Sequence, residues 1–142
     1  MDIIDKEIVL DLKEEFTSVK TTIQNLITEH KINDANIVCW VSHEVGTLVQ
    51  LGWEDGLIDD AKQFLTDIAP EGKYLHHDEP GTPFRYNFHQ HIRTKLIGHP
   101  NMTLIVKNGE LFIGQYQDIY FYSPVYREKP NQRIFCRIVQ FT

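Results

Sequence analysis

Three segments of this sequence hold histidines whose chemistry is useful near neutral pH. His43 closes the apolar run Ile37-Val38-Cys39-Trp40-Val41-Ser42, His76 lies in Tyr74-Leu75-His76-His77-Asp78-Glu79, and His91 lies in Asn87-Phe88-His89-Gln90-His91. Imidazole titrates near neutrality without help and is a common nitrogen ligand for transition metals. Three imidazoles meeting at one point, with a fourth position open, would make a zinc-like catalytic site. Glu44, adjacent to His43, adds a carboxylate that is a candidate acid or base, or simply a solvated side chain. Taken singly, each histidine has an ordinary explanation: a satisfied residue at a strand end, a surface loop residue, or the polar flank of an amphipathic helix.

The elements that must position these residues follow from apolar periodicity. Residues 3–12 alternate and carry β-branched side chains, which predicts a strand. Val19, Ile23, Leu26 and Ile27 recur at helical spacing, predicting a first helix over 17–30 capped by Thr17 or Ser18. Residues 37–42 read as a buried strand, and 46–51 as its continuation or partner. A second helix is expected over 55–68, where Leu57, Ile58, Ala61, Phe64, Leu65 and Ile68 form a stripe; Glu54 and Asp55 suit its start, and Pro70 limits its extension. The stretch 71–85, rich in Gly, Pro, His and acids, predicts a loop.

Phe84, Phe88, Ile92 and Leu96 recur every fourth residue, predicting a third helix over 84–97 with Gly98 as its carboxyl-terminal cap. On that helix Asn87 and His91 lie one turn apart on one flank, while His89 points elsewhere. Strand-like runs at 102–106, 111–114, 119–122 and 134–141 then alternate with turns, and Asn108-Gly109 is a strong hairpin signal. The whole predicts an α+β fold, with a mostly antiparallel, β-sandwich-like core and three principal helices.

Composition narrows the function. With 142 residues, 42% of them hydrophobic and 24% charged, the chain is the size of a single domain spanning 1–142. A net charge of −6 without a basic run excludes the electrostatic footprint of a nucleic-acid binder. No apolar run reaches the roughly 18 residues that a membrane helix needs, and the acidic amino terminus is unlike a secretory signal. Cys39 and Cys136 sit in strand-like runs and indicate no disulfide framework, so a reducing cytoplasm is expected.

Across residues 37–139 the motifs form an ordered set. It runs from the strand ending at His43, through Asp55 at the second helix and Tyr74-Leu75-His76 with Asp78 and Glu79, to Asn87, His91 and Gly98. Asn108-Gly109, Gly114-Gln115-Tyr116-Gln117-Asp118-Ile119-Tyr120 and Arg133 complete it. In order and spacing this set resembles the YjbQ family, proteins often labelled secondary thiamine-phosphate synthase-like. The resemblance implies a site in which His43, His76 and His91 hold a divalent metal such as zinc, or an oxyanion. His77 and His89 would then lie outside it. It implies action on a phosphorylated small molecule, with His43, His91 and Glu44 as candidate catalytic groups and Asn87, Gln117 and Arg133 orienting the substrate. It also implies a homotrimer with sites near subunit boundaries. Tyr116, Tyr120, Phe121, Tyr122 and Tyr126 are candidates for that interface, or for sheet core.

The chain also departs from the family pattern. Leu51-Gly52-Trp53 stands where the family tends to have Asn-Glu-Asn, Glu44 and Val45 replace paired hydroxyl residues, and Ser123 replaces a glutamate. These changes remove polar groups around the histidines. A non-catalytic, ligand-binding or regulatory relative is therefore the competing expectation.

Overall fold

Alternation of small or β-branched apolar residues with charged ones builds a large, five-stranded sheet. The computed structural model describes residues 1–72, 74 and 87–141. Within them the large sheet has strand order β1-β8-β3-β5-β6, with β1 Asp2–Asp11, β3 Ala35–Trp40, β5 Asn101–Lys107, β6 Glu110–Leu111 and β8 Asn131–Gln140. Its pairings are antiparallel. Along β8, Ile134, Cys136 and Ile138 point inward while Arg133, Phe135 and Arg137 point out, as the twofold period of a half-buried strand requires. Cys39 and Cys136 stand opposite each other in register, with Sγ atoms 3.8 Å apart and both thiols free. The predicted hairpin joins β5 to β6: Asn108 and Gly109 both have positive φ, 52° and 80°, as its two-residue turn demands.

A second, three-stranded sheet has the order β2-β7-β4, with β2 Phe16–Ser18, β4 Thr47–Gly52 and β7 Gln117–Tyr122. It is buried on both faces, which explains the unbroken apolar run Ile119-Tyr120-Phe121-Tyr122. One face, with Leu48, Ile119 and Phe121, closes the main core against the large sheet and Ile23 and Ile27 of α1, Lys20–Glu29. The other, with Val49, Tyr120 and Tyr122, packs on Leu65 of α2, Leu57–Ile68, and on Ile97 at the end of α3, Phe88–Ile97. The architecture is therefore α+β, with three helices among the described residues packed on antiparallel sheets. No helix among the described residues is long and apolar enough to cross a membrane.

Several expectations are corrected here. Residues 16–18 are strand rather than the first turn of α1; Val19 occupies the cap position, and the Ser18 hydroxyl donates instead to the Asp118 carboxylate at 2.9 Å. Residues 46–51 neither continue nor pair with β3, because β4 pairs with β7 in the other sheet. The stripe Phe84-Phe88-Ile92-Leu96 does mark a helix, described over Phe88–Ile97 with 84–86 outside the described residues, but the fully buried residues of α3 are His89 and Thr94, and Leu96 is exposed. Gly98 does take the carboxyl-terminal cap position of α3, as expected, but with an extended backbone (φ −156°) rather than a left-handed one. A β-carbon there would collide with the carbonyl oxygen of Leu48, so its missing side chain serves a close approach of backbones. Of the aromatic residues read as interface or sheet core, Tyr120, Phe121 and Tyr122 are buried in the core and Tyr116 is exposed.

Candidate functional site

The segment 41–46 leaves the large sheet at Trp40 and enters the small one at Thr47, so it bridges the layers and carries His43 and Glu44 to their shared end. Two contacts shape it. The Val45 amide donates to Nδ1 of His43 at 3.0 Å, and the Ser123 hydroxyl donates to the Val45 carbonyl at 3.4 Å. Gly46 is required because a β-carbon would lie 2.9 Å from the Phe121 ring.

Helix α3 is laid across this segment by three anchors. Leu48 and His99 exchange backbone hydrogen bonds of 2.9 and 3.1 Å, Arg93 Nε donates to the Ala69 carbonyl at 2.9 Å, and Lys95 Nζ donates to the Glu44 carbonyl at 3.1 Å. The face so presented is Phe88, His91, Ile92 and Lys95, at the i, i+3, i+4, i+7 spacing that puts side chains in one row. With Glu44 these residues line an open pocket of about 370 Å³. Phe88 and Ile92 form an apolar floor, while His91, Lys95 and Glu44 are its polar rim.

The electrostatics are local. The Glu44 carboxylate meets Lys95 Nζ at 3.1 Å and His91 Nδ1 at 3.5 Å. Lys95 holds its carboxyl below the usual range, so Glu44 is ionised near neutral pH and is a poor proton donor there. Burial depresses the basicity of His43, and nearby Lys129 and His91 add to the effect. His43 is thus neutral near pH 7. Because Nδ1 accepts from Val45, the neutral ring carries its proton on Nε2 and offers a donor there. That suits an oxygen ligand. A metal bound through Nε2 would need that proton removed or moved to Nδ1, where the Val45 bond stands in the way.

The structure thus brings together His43, Glu44 and His91 of the sequence-predicted residues. Asn87 immediately precedes α3, its carbonyl accepting the Gln90 and His91 amides at 3.0 and 3.3 Å. His89 faces the buried side of α3, away from the pocket row. Gln117 is elsewhere: the register pairs Thr47 with Tyr122 but Gly52 with Gln117, five residues and about 17 Å along the strands from the His43 end. Its side-chain oxygen accepts the Gly114 amide at 2.8 Å. Arg133 points outward from the large sheet and pairs with Glu7 at 3.1 Å. His76 and His77 lie outside the described residues, among which no three His, Cys, Asp or Glu side chains form a metal-binding group. Sequence reasoning missed Lys95, although its four-residue spacing from His91 was the available signal.

Fold and pocket together define a class: α+β proteins of two antiparallel sheets, with a small-molecule-sized pocket where one helix crosses the strand ends. The chain belongs to the YjbQ family, matching the family described as UPF0047 protein YjbQ-like over residues 6–140. A UPF0047 protein of Archaeoglobus fulgidus is 28% identical over 88 residues, spanning 62% of this chain and 66% of that relative. A YbjQ-like protein of unknown function from Sulfolobus solfataricus has a crystal structure similar to this one, with TM-score 0.80 and 16% identity over 99% of both chains. A YjbQ/UPF0047 protein from Clostridium acetobutylicum gives 0.77 and 22% over 94% of this chain and 99% of that one. At these identities the solved structures establish the fold alone.

Proposed function

We propose that the pocket between segment 41–46 and α3 binds a phosphorylated small molecule with an apolar body. The observation that carries this reading is the α3 row: Lys95 and His91 supply nitrogen groups for a phosphate, above the apolar floor of Phe88 and Ile92. His43 lies outside the residues that line the pocket, but it is close enough to feel the charge of His91, and its Nε2 proton makes it a candidate further donor. Asn87, one turn before His91, is the residue we assign to the rest of the ligand.

Binding is better supported than turnover. Glu44 is ionised and engaged by Lys95, which leaves it a weak base and no general acid near pH 7. Calorimetric titration of phosphomonoesters into wild type and the Lys95→Met and His91→Asn variants tests the reading. Wild-type binding should weaken at least tenfold in Lys95→Met, by loss of a charge-assisted hydrogen bond of about 1.5–3 kcal/mol. Equal affinity in all three proteins refutes it. Phosphate release by wild type, lost in His43→Gln and His91→Asn, would instead assign a hydrolytic chemistry to the same groups, whereas a thiamine-phosphate synthase-like activity would need a second substrate and a coupled product to be detected.

Two further proposals come from the family resemblance. A divalent metal such as zinc on His43, His76 and His91 is the second ligand reading; metal content of tag-free protein, compared with the three alanine variants, tests it. A homotrimer is the proposed assembly, in which Gln117 or Arg133 would reach a ligand only from a neighbouring copy. Light scattering at micromolar concentration should give three times the chain mass, and a monomer mass would contradict it.

A further inference from the structure

We infer that Glu44 is a built-in competitor for the pocket's anion position, so that a ligand phosphate binds by displacing its carboxylate. This rests on the proposed phosphate-binding reading and adds a specificity device to the same site. The geometry is that of a filled anion site. One carboxylate oxygen, Oε1, takes both the Lys95 ammonium at 3.1 Å and His91 Nδ1 at 3.5 Å, the two nitrogen groups on the pocket rim. A phosphate oxygen approaching Lys95 and His91 meets a position already occupied by an oxygen of the same charge sign.

Lys95 is held independently of that carboxylate. Its ammonium also donates to the backbone carbonyl of Glu44 at 3.1 Å, a bond that survives any change of the side chain at position 44. Removing the carboxylate therefore leaves the cation aimed into the pocket, with a donor released for another anion. The carboxylate is also easily dislodged. The Glu44 side chain is 62% exposed and Lys95 47%, so their pairing is screened by water, and the freed carboxylate has solvent to move into. A buried carboxylate in that place would be a permanent part of the structure; this one is a reversible occupant. The consequence is selectivity for multiply charged anions. A dianionic phosphate ester outcompetes a single carboxylate at a cation, whereas a monocarboxylate ligand gains little by exchange.

The experiment is calorimetric titration of inorganic phosphate, then of acetate, into intact wild-type, Glu44→Gln, Glu44→Ser, Lys95→Met and Glu44→Ser/Lys95→Met proteins. Position 44 is exposed, and circular dichroism of each variant checks that it is folded. Glu44→Gln and Glu44→Ser should bind phosphate up to about fivefold more tightly than wild type, and the gain should vanish in the double variant. Acetate should likewise bind the Glu44 variants more tightly than wild type, by no more than about the same factor. If the Glu44 variants bind phosphate no tighter than wild type while Lys95→Met weakens binding, the competitor role is overturned and the pocket reading stands. If phosphate binding never depends on Lys95, the pocket reading falls and the competitor role with it.

Discussion

Replacing Gly98 with alanine should weaken the joint that sets α3 over the pocket. The backbone at Gly98 is extended, a conformation open to any residue, so alanine meets no conformational penalty. What it meets is contact: its β-carbon would collide with the Leu48 carbonyl oxygen and lie 3.0 Å from Cγ2 of Thr47. Thr47 and Leu48 are buried strand residues and cannot yield without moving β4. Overpacking of this kind costs about 1–3 kcal/mol. Relief by separation would strain the two hydrogen bonds between Leu48 and His99, each contributing about 0.5–1.5 kcal/mol. The sum is about 2–6 kcal/mol, which at about 2–4 °C per kcal/mol lowers the melting temperature by about 4–24 °C. Urea unfolding followed by tryptophan fluorescence measures the loss, and Gly98→Asn separates the causes. A left-handed helix cap would tolerate asparagine, whereas close approach makes asparagine at least as harmful as alanine. An alanine variant within about 0.5 kcal/mol of wild type would refute the close-approach argument.

Gly46→Ala drives a β-carbon to 2.9 Å from the fully buried Phe121 ring, and should cost about 1–3 kcal/mol in the same unfolding assay. Unfolding measured between about pH 5 and 8 should show stability falling as pH drops below the ordinary histidine value of 6.5, because His43 is harder to protonate folded than unfolded. His43→Gln should flatten that part of the curve. Glu44 acts lower: its carboxyl is held down chiefly by Lys95, so its contribution is present above the ordinary value of 4.5 and disappears as pH falls through the depressed one.

The sheets were largely legible where one face is solvated. β1, β3 and β8 alternate because a half-buried strand must, and Asn108-Gly109 reads as a hairpin because few residue pairs accept two positive φ angles. What failed was decided by tertiary contact. Thr17 and Ser18 look like helix caps, yet the pairing of Phe16–Ser18 with β7 draws them into the small sheet. Residues 47–51 carry no local sign of which sheet they join, so their partner could not be read from the sequence. On α3 the fourfold recurrence of Phe88 and Ile92 was real but marked a pocket floor, while the polar His89 and Thr94 went inside. At the site, adjacency gave His43 with Glu44 and helical spacing gave Asn87 with His91. That segment 41–46 and α3 meet follows from the backbone pairing of Leu48 with His99, between residues too far apart in the chain for periodicity to connect.

The most direct test of the account is a crystal structure of tag-free protein grown with tungstate, a phosphate analogue, with anomalous data collected for tungsten and for first-row transition metals. The account predicts a tungstate over the Phe88 and Ile92 floor, its oxygens within about 3.2 Å of Lys95 Nζ and a His91 ring nitrogen, and the Glu44 carboxylate turned out to solvent. A pocket without tungstate at saturating concentration, with Glu44 still bound to Lys95, would contradict it. So would a transition metal about 2.0–2.1 Å from His43, His76 and His91 with no anion bound at Lys95.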